Sequence, residues 1–170
     1  MPKVRKVAFP VESRLHRDLD QAFYSDAFET DLIDTSLSPV QIAARALAST
    51  PGFVDGLVGL RDRIVAVFGL KAVGRLKLAG GTRPISEPAV GDAFSIFRVV
   101  FVDSSELILG IDDTHLDVRI SYLKRLTSSR PSYVVSSWVK THNRLGRIYM
   151  MPVAPVHRLL VSLMMRGVPM

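Results

Sequence analysis

The sequence predicts an α+β protein in which a curved antiparallel sheet wraps around a long C-terminal helix. Three observations predict it. Four strand-like runs follow one another after residue 92, joined by short, turn-like connections. Two helical patterns precede them between residues 39 and 68. A long apolar stretch with helical spacing closes the chain. Short connections between strands imply antiparallel neighbours, so the four runs read as a meander. A length of 170 residues suits one domain spanning 1–170, and 48 % hydrophobic against 22 % charged residues suits a chain with a real core.

The elements follow in order. Val4 to Phe9 reads as a short strand, followed by a polar segment with Arg14, His16, Arg17, Asp18 and Asp20. "DAFETDL", residues 26–32, reads as a second strand. "SPVQIAARALAST" is a helix with its start written into it. Ser38 is the N-cap, Pro39 fits the first helical position, and Gln41 completes a capping box. Its apolar stripe is Val40, Ala43, Ala44 and Leu47. Thr50 and Pro51 restart the signal, and Phe53, Leu57, Leu60, Ile64 and Val67 give a second helix ending near Gly69. Residues 71–92, rich in Gly and Pro, read as a long loop suited to be a lid. The strand runs are 93–102, 106–112, 115–125 and 133–142. "PVHRLLVSLMM" is the core of the closing helix. An earlier start near Asn143 would require a break around Pro152.

Composition excludes some chemistry. There is no cysteine, hence no disulfide and no cysteine–zinc site. The basic opening residues lack the apolar stretch of a cleaved leader, so the expected location is cytoplasmic. The stretch from Ile148 to Met165 carries Pro152, Pro155, His157 and Arg158, which argue against a membrane span. Charge is uneven. Residues 118–170 hold nine Lys and Arg and no acid, whereas residues 1–117 hold 13 against all 16 acids. That asymmetry fits either packing beside the acidic segment 103–117 or an anionic partner. No nucleic-acid signature accompanies it, so no nucleic-acid partner is expected. "AGGTRP", residues 79–84, lacks the ending of a phosphate loop.

The order of elements matches the helix-grip fold of the START and birch-pollen-allergen-like proteins (SRPBCC superfamily). Three motifs make a closer resemblance: "LRDRIVAVFGLK" (60–71), "LGIDDTHLDVRIS" (109–121) and "VKTHNRLGRIYMMPVAPVHRLLV" (139–161). Together they resemble the bacterial family catalogued as domain of unknown function 2867, over roughly Val7 to Met165. Asp62 stands where the family pattern has Asn, and Val118 where it has Phe. The resemblance implies a helix-grip fold and a ligand cavity, and leaves a partner reductase open. It implies no particular reaction.

Candidate sites come from "GIDDTHLDVRIS". Side chains alternate along a strand, so His115, Asp117, Arg119 and Ser121 share one face and Leu116, Val118, Ile120 and Tyr122 the other. Either the polar face meets water, or it projects into a cavity where its charges must pair. In the second case His115, Asp117 and Arg119 are the catalytic candidates, with Asp117 orienting the imidazole. Asp112 and Asp113 suit a turn better than acid–base work. His142 and Asn143 end the last strand, where they serve as a cap or, with Arg147, bind a polar head group. Trp138 and Tyr149 suit core packing or a pocket wall. His157 reads as a structural histidine. His115, Asp117 and His142 are too loosely patterned to predict a metal, and no cofactor is expected.

Three functions fit. One is binding of a small apolar or amphipathic molecule between sheet and C-terminal helix, its polar end met by His115, Asp117, His142 or Arg147, with Asn143 beside them and Trp138 and Tyr149 lining the pocket. Another is a cyclase, hydratase or isomerase using a His–Asp pair. The last is an interaction module, either a homodimer or an accessory to a reductase.

Overall fold

The molecule, a computed structural model, is described at residues 3–50, 88–126, 130–166 and 168. Its strands there are β1 (Arg5–Lys6), β2 (Tyr24–Asp31), β3 (Ala93–Phe94), β4 (Phe97–Val102), β5 (Glu106–Asp112), β6 (Leu116–Arg125) and β7 (Ser132–Thr141). They form one curved antiparallel sheet in the order β1-β2-β7-β6-β5-β4-β3. The meander from β3 to β7 follows the short connections of the sequence. What short connections could not show is that β2 pairs with β7, Tyr24 opposite Val139 and Asp31 opposite Ser132, so an early strand sits beside the last one. The predicted strand 93–102 is split by a turn at Ser95, whose backbone lies in the left-handed region with φ 60°. The predicted second helix, most of the loop 71–92 and the motif at 60–71 lie outside the described residues.

Alternation gives the sheet two chemically distinct faces. On the inner face Phe28, Leu107, Leu109, Tyr122, Tyr133 and Val135 join one apolar core. Across this face lie α1 (Pro39–Ala48) and α2 (Arg144–Arg166). The predicted capping box of α1 is formed: Gln41 N–H donates to Ser38 Oγ at 3.2 Å, and Ser38 N–H donates to Gln41 Oε1 at 2.9 Å. Val40, Ala43 and Leu47 are buried as their spacing implies, and so are Ile42 and Ala46, because α1 packs against both the sheet and α2.

The polar segment after β1 is a 3-10 helix, Arg14–Gln21, which periodicity did not reveal. It covers part of the outer face. Its anchor is Glu106, 2 % exposed at the start of β5. Ser13 Oγ and Ser121 Oγ each donate to Glu106 Oε1 at 2.5 Å, and Arg14 N–H donates to Oε2 at 3.0 Å. Trp138 Nε1 adds a bond to the Asp18 carbonyl at 2.8 Å, and the indole packs with Leu15 and Ile108. A buried carboxylate is tolerated here because backbone and hydroxyl donors replace its water.

The closing helix corrects one expectation. α2 runs unbroken from Arg144 to Arg166 with Pro152 and Pro155 inside it. Each proline removes one rung of the helical ladder, leaving the carbonyls of Ile148 and Met151 without their i+4 donors. Both residues are exposed, so water can serve the freed carbonyls. The first turn is also pinned from outside. Asn143 Oδ1 accepts from Gly146 N–H at 3.0 Å, in the manner of an N-cap. By length and composition alone α2 could cross a bilayer. One of its sides is packed on the sheet, and no clear span is shown.

Candidate functional site

The inner face and α2 do not fill the space between them. Among the described residues two adjoining lobes lie there, of about 130 and 180 Å³. Phe97, Ile120 and His157 belong to both. The smaller lobe runs toward α1, past Leu47, Tyr122 and Met164, and its walls are almost wholly apolar. The larger lobe lies under the first half of α2, lined by Leu116, Val118, Val139, Tyr149 and Met150. Leu116, Val118, Ile120 and Tyr122 therefore point inward, which settles the parity of β6.

Polar groups meet at the waist between the lobes. His157 descends from α2 and its Nε2 lies 2.7 Å from Ser137 Oγ of β7. The hydroxyl donates when Nε2 is unprotonated and accepts when it carries hydrogen. Removal from water pushes the His157 pKa down, opposed by the nearby charge of Asp26. Tyr24, on β2, meets the His157 ring edge-on, with centroids 6.3 Å apart and planes at 84°. The Tyr24 hydroxyl donates a short hydrogen bond to Asp26 Oδ2 and accepts from Arg158 Nε at 3.2 Å. Burial and the Asp26 carboxylate push the phenol up to about 12, so it stays protonated.

Asp26 is 4 % exposed, and its Oδ1 has no hydrogen-bond partner among the described residues. Thr30 Oγ1 and Ser136 Oγ share that condition. The carboxylate oxygen is the costly case, since leaving a buried charged acceptor unserved exceeds the penalty for a hydroxyl.

The residues singled out in "GIDDTHLDVRIS" lie elsewhere. Asp117 and Arg119 point to the outer face, opposite in parity to the cavity residues. Asp117 Oδ2 is 3.0 Å from His142 Nε2, and Arg119 reaches Asp112 at 2.6 Å. His115 Nδ1 is 2.8 Å from Asn143 Nδ2. So the structure brings together Asp117 with His142 and His115 with Asn143, not His115 with Asp117. Trp138 also faces outward, under the 3-10 helix. Arg147 is exposed on α2. Tyr149 and Asp113 alone of this group line the larger lobe. Among the described residues no cluster of three or more His, Asp or Glu could hold a metal ion.

The family described as a protein of unknown function, DUF2867, matches residues 19–164. The chain belongs to this family. No curated protein and no solved structure matches it.

In this DUF2867 member the matched region runs from the 3-10 helix into α2, and so includes Tyr24, Asp26, Ser137 and His157. Sequence reasoning set His157 aside as structural and passed over the other three. The signal was present on β2 and β7. Tyr24 and Asp26 share parity with buried Phe28, and Ser137 lies between Val135 and Val139 on the inward parity. A charged or polar residue in register with core residues is the mark that was missed. Val118 lines the larger lobe of this member.

Proposed function

We propose that the protein binds a small amphipathic molecule between the inner face of the sheet and α2, in a helix-grip arrangement. The apolar body lies in the two lobes, and the polar end reaches Asp26, Ser137 and His157. One observation carries this reading: a buried carboxylate oxygen of Asp26 without a partner among the described residues, on the strand position paired with Ser137, which lines the larger apolar lobe. An acceptor in that position is matched by a ligand that brings a donor, such as a hydroxyl or an amine. The apolar walls favour a hydrocarbon or ring system behind that donor.

Native mass spectrometry of the purified protein, with organic extraction of any bound species, tests the reading. A retained or added amphipathic molecule that is lost in Asp26→Asn and in Val118→Phe supports it. Binding unchanged in both variants, or none across a panel of hydroxylated and aminated apolar probes, overturns it.

A second reading is favoured by the neighbourhood of His157. A histidine held neutral by burial beside a carboxylate is suited to accept a proton. An isomerisation in which His157 removes a ligand proton and returns it to another ligand atom balances without any other reagent. Proton exchange into the bound ligand from deuterated water, lost in His157→Gln, distinguishes catalysis from binding alone.

A further inference from the structure

The outward side of α2 carries a continuous apolar stripe. Ile148 is 61 % exposed, Met151 73 %, Val156 45 % and Leu159 59 %. Their spacing, with Pro152 and Pro155 between them, returns to one side of the helix over three turns. The opposite side holds Gly146, Met150, Val161 and Met164 against the sheet. Leucines and methionines scattered singly on a surface need no explanation, but four exposed apolar residues on one side of a helix over three turns do.

The charge on the same helix selects the occupant. Arg144, Arg147, Arg158 and Arg166 are all exposed, and α2 contains no acidic residue. Arg147 and Arg158 flank the stripe on one side, while Arg144 and Arg166 lie at the two ends of the helix. The chain from residue 118 onward has no acid at all. A second copy docked helix to helix would set these arginines against their own kind, with no carboxylate on either helix to neutralise them. An anionic bilayer surface offers both complements, acyl chains for the stripe and phosphates for the guanidinium groups.

We propose that α2 is a membrane-docking helix, lying in the plane of an anionic lipid surface with Ile148, Met151, Val156 and Leu159 immersed in the headgroup boundary. The sheet stays above the bilayer, because the inner side of α2 remains packed on it. This contact is independent of the cavity reading. It also sets the cavity, which lies on the other side of the same helix, within one helix diameter of the lipid.

Flotation with phosphatidylcholine vesicles, with and without phosphatidylglycerol, tests the proposal on the full chain. The expected result is partitioning to the anionic vesicles that weakens as salt rises. Replacing Arg144 or Arg147 by Gln weakens it about fivefold each. Leu159→Glu and Met151→Glu abolish it while leaving the thermal midpoint and cavity-ligand binding intact. No partitioning to either vesicle overturns the proposal, as does partitioning that Leu159→Glu leaves unchanged. A dimer in light scattering that Leu159→Glu dissociates, without vesicle binding, assigns the stripe to a second copy and overturns it too. Binding that resists both high salt and alkaline carbonate indicates a span and also overturns it.

Discussion

His157 Nε2 lies 2.7 Å from Ser137 Oγ, so the middle of α2 is tied to the middle of β7 by a titratable group. The burial that permits this contact also opposes a charge on the ring. Because the folded-state pKa lies below the ordinary value of 6.5, protons bind the unfolded chain more readily than the folded one. The stabilisation is complete above about pH 6.5 and is lost as pH falls through the lowered folded-state value. Thermal midpoints of the natural chain and of His157→Gln, compared between about pH 8 and pH 5, check this. The natural chain loses stability with acid over that interval more steeply than the variant. Parallel curves would remove His157 as the cause.

Val118→Phe places a ring in the larger lobe. Filling unoccupied apolar space changes stability by less than about 1.5 kcal/mol when the ring fits. Amphipathic probe binding falls at least tenfold, because the ring takes the space the probe needs. Fluorescence displacement together with a urea melt separates the two effects. A variant that binds as well as the parent would show that the larger lobe holds no ligand.

Glu106→Ala strips the acceptor from Ser13, Ser121 and the Arg14 amide at once. The predicted loss is about 2–4 kcal/mol, since donors bonded to a charged acceptor are left buried and unserved. The 3-10 helix should become the first site of proteolysis. Limited digestion with identification of the earliest cut checks it, and a first cut elsewhere would count against Glu106 as the anchor.

Gly146→Ala tests how tightly the start of α2 is seated. A Cβ there would stand 2.3 Å from the His115 carbonyl oxygen, far inside contact distance with backbone that cannot swing away. The expected destabilisation is about 1–3 kcal/mol by denaturant melt. Asp117→Asn, by contrast, breaks only the partly exposed pair with His142. It should cost less than about 1 kcal/mol and leave probe binding unchanged.

Much of this architecture is legible in the residues. Ser38, Pro39 and Gln41 write the start of α1, and the strand-like runs at 106–112 and 115–125 appear as Glu106–Asp112 and Leu116–Arg125. What stays hidden depends on partners distant in the chain. Glu106 looks like an ordinary strand-edge acid until Ser13 and Arg14 arrive from the other end of the sequence. The unbroken α2 was hidden for a different reason. Two prolines forbid local hydrogen bonds, and only exposure of Ile148 and Met151 makes that tolerable. The site was partly hidden by its own chemistry. The dense charge of "DDTHLDVR" draws attention to the outer face, where water and surface pairs satisfy it. Asp26 and Ser137 are quieter in sequence, and their significance comes from the apolar residues around them.

The pairing of β2 with β7 carries a consequence for how the chain is made. β2 leaves the ribosome early, and its partner is among the last strands to be synthesised. Until then one edge of β2 has no neighbour, and Tyr24 has no cavity to face. Loop closure over most of the chain must precede the sheet's completion, which places this contact among the late and slow events of folding. An unpaired strand edge waiting that long is exposed to mispairing, and the cavity comes into being only once β7 has joined β2.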